Sequence, residues 1–525
     1  MSSLIGSVQQ PCDKGVIAAR SASAPCSAAS APWILAATII GSALVFIDSS
    51  VANLVLPALQ AELGATLVDV QWVVESYALV LGSLMLVGGS LGDRLGRRRV
   101  FISGLLLFAA GSIWCGLAPN VGQLIAARCV QGVGGVLLTP TSLAILSASF
   151  DDQERGRAIG TWSGSTAIFA AIGPLLGGYL IQHASWRWVF FINVPLVAAA
   201  VWIAFVHLLE SRDTTTPKPL DIPGALLATL GLGAIVFGLI QSTALTLAHP
   251  LVLGCIAGGL AILAAFLIVE RRSPAPMVPL GLFRSRTFTG VNVLTLLLYG
   301  ALGGALFFLP FDLMQVQGYS PFAAGASLLP FIILMFLLSR WAGGLIPRVG
   351  VKLPLVVGPA VAGLGLALFA LPDIGGSYWT TYFPAVMVLG IGMATAVAPL
   401  TTTVMTAAGE ENAGIASGIN NAISRVASLL AVAALSLVLW TVYNHALDGR
   451  LAPIAMTPDV RAAFDAERIK MVAAKPPPSV SPLAAREMEN ATREAYVAGF
   501  RLVMIVGALL AFGGALSAAL LIPKR

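Results

Sequence analysis

Gly88-Gly89-Ser90-Leu91-Gly92-Asp93-Arg94-Leu95-Gly96-Arg97-Arg98-Arg99 is the stretch that decides how the chain folds. Apolar residues dominate on both sides of it, over 70–91 before and 100–118 after. Arginines crowded into a short break between two such runs mark a connection between membrane-crossing helices. Spaced glycines permit a tight turn and close helix approach. A purely topogenic cluster accounts for Arg97, Arg98 and Arg99, but not for an acid set among glycines. Asp93 can sit at a helix N-terminus or pair with Arg94 or Arg97. Gly88, Gly92, Asp93, Arg94, Gly96 and Arg97 therefore form a candidate gating loop or latch.

The same reading extends outward to the whole chain. Of its 525 residues, 57% are hydrophobic and 10% charged, where a soluble domain carries about 25% charge. So few charges cannot cover a water-facing surface of this size, which excludes a soluble enzyme, a nucleic-acid binder and a disordered chain. A bilayer needs about 20 apolar residues per crossing. Fourteen candidate spans fall near 33–57, 70–91, 100–118, 121–148, 157–181, 189–209, 222–241, 249–269, 288–311, 321–342, 353–371, 380–405, 412–443 and 495–522. The fold class is an all-α polytopic membrane protein.

Fifteen Lys and Arg residues, from Arg94 to Lys352, fall in the short connections on one side, and Arg187 alone on the other. The positive-inside rule then places both termini in the cytoplasm of a multi-pass cell-membrane protein. Residues 1–32 lack the apolar run of a signal peptide and are expected as a cytoplasmic tail. Residues 444–494 form an outer loop with seven acidic and seven basic residues, in which 456–474 and 483–495 are expected as short surface helices. Gly343-Gly344-Leu345-Ile346-Pro347-Arg348-Val349-Gly350 closes span 10 as a decayed copy of the first loop, without its Asp. Spans 1–6 (33–209) and 9–14 (287–525) then form two six-helix halves, with two extra spans in 210–286. Paired halves are the sequence mark of a secondary transporter.

Charges inside spans are functional candidates, because burying one costs a few kcal/mol or more. Asp48, the one charge of span 1, lies about nine residues from the span's outer end, or ~13 Å deep. Arg128 lies ~10 Å into span 4 and Glu75 ~8 Å into span 2 from the same face. At one depth an Asp and an Arg can pair directly or through water, and protonating the Asp releases the Arg. A static ion pair is the competing reading. Glu75 reads either as a cation-recognition group or as an exposed rim residue. Asp312, at the end of span 9, is expected at the outer rim, and Arg425 in span 13 faces a cavity or a partner.

Four runs make the chain resemble the major facilitator superfamily, and within it the fourteen-helix drug:proton antiporters. They are the 88–99 loop; Phe46-Ile47-Asp48-Ser49-Ser50-Val51-Ala52-Asn53 in span 1; Arg128-Cys129-Val130-Gln131-Gly132-Val133-Gly134-Gly135 in span 4; and Gly173-Pro174-Leu175-Leu176-Gly177-Gly178 in span 5. The resemblance covers the chain from span 1 to span 14. It implies the major facilitator fold, two six-helix bundles plus two linker helices, and assigns proton coupling to Asp48 and Arg128, with Glu75 beside them as a departure from the usual neutral residue. It makes Gly173, Pro174, Gly177 and Gly178 the antiporter motif, whose kink accompanies export. Candidate cavity residues are Asn53, Gln131, Trp162, Tyr299, Asp312, Asn420, Asn421 and Arg425, and Phe169, Phe307 and Phe308 are weighed with them against plain packing.

Catalysis finds no support. The chain has no GxxxxGK[ST] loop, and His183, His207, His249 and His445 show no metal-ligand spacing. Its five cysteines build no disulfide framework. The expectation is a proton-driven, cofactor-free, monomeric exporter of small hydrophobic or amphipathic compounds, with neither a metal nor a nucleic-acid partner. Export of one endogenous metabolite, or a non-transporting membrane sensor, are the competing readings.

Overall fold

The computed structural model describes residues 30–150, 152–212, 221–274, 276–409 and 412–523. Most of the expected 1–32 tail therefore lies outside the described residues. Thirteen helices among the described residues are long and apolar enough to cross a bilayer, and Lys352–Leu368 is a shorter fourteenth. In chain order they are α1 (Ala31–Leu63), α2 (Leu67–Leu95), α3 (Arg97–Leu117), α4 (Val121–Ser149), α5 (Asp152–His183) and α6 (Asn193–His207, entered through Trp188–Phe191). Two more follow, α7 (Ile222–Leu245) and α8 (Pro250–Arg272). The rest are α9 (Arg286–Phe311), α10 (Leu329–Val349, entered through Pro321–Ala326), α11 (Lys352–Leu368), α12 (Tyr382–Ala408), α13 (Ala413–Leu451) and α14 (Pro482–Leu521).

Short connections force neighbouring helices to run antiparallel. Only Gly64, Ala65 and Thr66 separate α1 from α2. Gly64 ends α1 at φ 64°, a left-handed conformation that suits glycine. Thr66 then starts α2 with a capping box: its hydroxyl accepts from Asp69 N–H (3.2 Å), and the Asp69 carboxylate accepts from Thr66 N–H (2.9 Å). Close packing rests on small residues, as expected where lipid removes the hydrophobic drive between helices. A Cβ on Gly134 of α4 would come within 2.6 Å of the Phe108 backbone nitrogen of α3.

Helices α1–α6 pack into one half and α9–α14 into the other. The connections holding Arg97, Arg98 and Arg99 define a basic face; the long α13–α14 connection lies on the far face. The halves meet through α2 against α13, α1 against α9, and α5 against the Pro321–Ala326 entry to α10. The bonds across the seam lie toward the far face: Gln71 donates to the Ser436 hydroxyl, Gln315 to Gln60 (2.9 Å), and Asn53 to the Leu306 carbonyl (3.3 Å). The two extra spans do not lie between the halves as a spacer. Helix α7 fills the groove where α2 meets α13, and α8 packs on α7.

The far-face loop is tighter than its sequence suggests. Helix α13 continues to Leu451 and α14 already starts at Pro482, so the expected 483–495 surface helix is the first part of α14. What remains is a helix, Pro458–Glu467, and a 3-10 turn, Arg468–Ala473, seated on α1, α2 and α14. Arg468 holds it there, 2.7 Å from both Asp448 and Asp465, while Gln60 of α1 donates to the Lys470 carbonyl (3.4 Å).

Candidate functional site

Asp48 and Arg128 come together in the core of the first half. The 33-residue length of α1 puts Asp48 near the helix middle, deeper than the shorter span read from sequence. Arg128 Nη1 lies 2.6 Å from Asp48 Oδ2, and the two side chains are each 1% exposed. Every element around them contributes. Gln131, one turn along α4 from Arg128, donates to Asp48 Oδ1 (2.9 Å) and accepts from Arg128 Nη1 (2.7 Å). Arg128 Nε donates to the Val73 carbonyl of α2 (3.1 Å), and its guanidinium lies 4.2 Å from the Tyr77 ring centroid. Ser112 of α3 accepts from Gln131 (3.0 Å) and from Asn193 of α6 (3.3 Å). Gln131 is fully buried in this network and is not a cavity residue.

The buried ion pair ties α1 to α4. Arg128 also holds the Val73 carbonyl, the Gln131 oxygen and the Tyr77 ring, while its buried Nη2 has no hydrogen-bond partner. Breaking a buried pair by removing one charge costs several kcal/mol, and these contacts offset only part of that cost.

The antiporter motif lies directly alongside. Gly173 faces Ser50 and Val51, and Gly177 faces Val51, so α5 lies on the α1 segment that carries Asp48. Its other face touches the second half: the Pro174 carbonyl abuts Gly325, and Gly178 abuts Pro321 and Phe322. One motif thus joins the Asp48 segment to the far-face seam.

At the basic face, Gly88 and Gly92 let α2 lie against Val136 and Thr141 of α4. Asp93 pairs with Arg97 at 2.8 Å across Gly96 (φ 107°), and Arg94 is exposed. Sequence reasoning missed Glu210, whose carboxylate accepts from the backbone N–H of Arg98 (3.1 Å) and Arg99 (3.3 Å) and so caps α3. Arg98 reaches back to the carbonyls of Ala204 (3.2 Å) and Phe205 (2.8 Å). The side chains of 343–348, the decayed copy, lie outside the described residues.

The other candidates separate. Glu75 does not join the Asp48 network; it is 1% exposed, which removes the rim reading, and neither carboxylate oxygen has a hydrogen-bond partner. Asp312 is likewise no rim residue. It opens a π-helical turn, Asp312–Val316, that folds it into the core, 1% exposed and bonded to the Tyr382 hydroxyl. Asn53 bridges the seam to α9, Trp162 donates to Ser42 (3.1 Å), and Asn420 donates to Asn292 (3.1 Å) and Thr295 (2.7 Å). Asn421 is exposed, while Tyr299 and Phe169 are half-buried. Phe307 and Phe308 are core residues at 1% exposure. Arg425 sits against Gly82 of α2, 3.4 Å from where a Cβ would lie.

Residues 38–432 match the Major Facilitator Superfamily. The chain belongs to that superfamily. Among relatives of this superfamily member, the tetracenomycin C resistance and export protein of Streptomyces glaucescens is 34% identical over 411 residues, 78% of this chain and 76% of that protein. The lincomycin resistance protein of Streptomyces lincolnensis is 36% identical over 381 residues, 72% of this chain and 78% of its own. The multidrug resistance protein Stp of Mycobacterium tuberculosis (strain ATCC 25618 / H37Rv) is 33% identical over 414 residues, 77% and 75%. The superfamily fold is matched by the crystal structure of a bacterial homologue of the human lysosomal transporter Spinster, inward-facing and unoccupied, with TM-score 0.64, 15% identity, and coverage of 94% of this chain and 98% of that one.

Proposed function

We propose that the chain is a proton-driven exporter of small hydrophobic or amphipathic compounds, working by alternating access. The observation that carries this is the buried Asp48–Arg128–Gln131 network beside α5, which holds Pro174. A proton is the one ion that the pair suits, since a sodium site needs several oxygen ligands. Protonating Asp48 loosens α1 from α4, and α5 relays the change to the Pro321 segment. The relatives named for resistance and export favour export over a sensor. Its work is transport rather than bond-making, and it needs no cofactor, because one proton falling through 100 mV supplies about 2.3 kcal/mol.

The basic face lies in the cytoplasm in this reading, with both termini there, in keeping with the fifteen-to-one bias of Lys and Arg. The conformation described, joined at the far face, is then the one closed to the outside. Nothing in the coupling scheme needs a second subunit, and a monomer suffices. The test is a panel of amphipathic antibiotics and dyes on an exporter-deficient strain, with and without the chain. Raised resistance that a protonophore abolishes supports the proposal; unchanged sensitivity across the panel, with the protein in the membrane, contradicts it.

A further inference from the structure

Glu75 is a buried acid of the first half that the coupling scheme leaves unused. Its place follows from the register of two helices. Gln71 of α2 bonds Ser436 of α13, and Gly82 of α2 packs on Arg425 of α13. Eleven residues separate each pair along its own helix, so α2 and α13 run antiparallel in register, and Val432 stands opposite Glu75. Glu75 thus lies in the seam between the halves, ~6 Å from the Gln71 level and ~10 Å from that of Arg425.

Nothing there welcomes a charge. Val432 and Leu429 of α13 are 4% and 3% exposed. Helix α7 closes the lipid side of the seam, with Val236 and Ile240 packed on Leu429, Ala433, Trp72 and Leu79. No residue of α7 is charged. On α13 the nearest charge is Arg425 toward the basic face, and the nearest titratable groups toward the far face are Tyr443 and then His445. Arg128 of α4 and Asp48 of α1 hold each other beyond Tyr77, and apart from Glu75 the charges of α2 are Asp69 near its start and Asp93 and Arg94 near its end. A carboxylate charge without partners in such a place costs several kcal/mol. The neutral acid fits the closed seam, and the ionised form fits a seam that water has entered.

We propose that Glu75 is a proton-binding site of the far-face gate. It takes a proton from the far side as α2 closes on α13 and returns it to that side as they part, so external acid holds the gate shut. The inference rests on the alternating-access reading, in which this seam opens and closes. The sign follows from linkage: the closed state binds one proton more than the open one, so raising the pH favours opening, by at most about tenfold in the closed-to-open ratio per pH unit.

Spin labels at Ala184→Cys and Thr380→Cys, exposed far-face positions on the two halves, read the gate as a distance distribution in purified protein whose five native cysteines are replaced. The measurement runs from pH 5 to pH 9 in an Asp48→Asn background, which removes the other buried acid of the first half. The expected result is a closed fraction that falls as pH rises. Glu75→Gln abolishes the dependence and keeps the gate closed, while Glu75→Asp retains it. A pH response unchanged by Glu75→Gln, or a parent distance that ignores pH, overturns the proposal. The reading uses no transport assay, so absence of gradient-driven export by the wild-type chain alongside an intact pH response counts against the coupling scheme and not against Glu75.

Discussion

At the scale of single residues, Asp48 and Arg128 form the pair on which the account stands, and removing either alone should be costly. Asp48→Asn keeps the side-chain volume but leaves Arg128 charged and buried. The expected loss is up to ~3–5 kcal/mol of stability, reduced by the Val73 and Gln131 contacts and read as a lower unfolding midpoint in detergent. Combining Asp48→Asn with Arg128→Gln should recover much of that midpoint without recovering export. Equal midpoints for the single and double variants would show that the charge of Arg128 is satisfied without Asp48. A well-inserted Asp48→Asn protein with undiminished proton-driven export would remove Asp48 from the coupling role.

Helices and their connections carry the change from Asp48 to the seam. Gly178→Leu puts a side chain where α5 meets Pro321 and Phe322, so it should pry the far face open and increase thiol labelling of an Asn53→Cys reporter several-fold. Unchanged labelling would separate the motif from the gate. Asp93→Asn removes the 2.8 Å tie to Arg97 and should slow interconversion without altering the range of compounds exported. A changed range at unchanged turnover would contradict that. In the far-face loop, Arg468→Ala leaves Asp448 and Asp465 without their shared partner. Limited proteolysis between 458 and 473 should then quicken, and equal rates would mean that Arg468 does not hold the loop. The spans themselves were legible in sequence, since lipid demands long apolar runs. The extensions of α13 and α14 were not, because Asn444–Arg450 and Arg486–Glu494 are polar and a hydrophobic ruler stops there. Gln131 was misread as a cavity residue although its spacing of three from Arg128 puts both on one helix face. Asp312 was misplaced because a π turn shifts register in a way that periodicity does not announce, and Glu210 because a lone acid after a span carries no pattern.

For the whole molecule, the seam between the halves is where the pieces converge. Glu75, the Gly178 contact with Pro321, and the Gln60–Gln315 bond all lie along it, and the Asp48 pair reaches it through α1 and α5. The two-half architecture was readable from the paired loops at 88–99 and 343–350; that α7 seals the groove between α2 and α13 was not, since an unbroken apolar helix gives no sign of its neighbours. The central claim is that a proton gradient, sensed at Asp48, drives export, and everted membrane vesicles test it most directly. Acidifying their interior should drive accumulation of an amphipathic fluorescent dye by the wild-type chain, stopped by a protonophore, unaffected by replacing sodium with choline, and lost in Asp48→Asn. Accumulation that needs sodium and survives collapse of the proton gradient would contradict the coupling scheme.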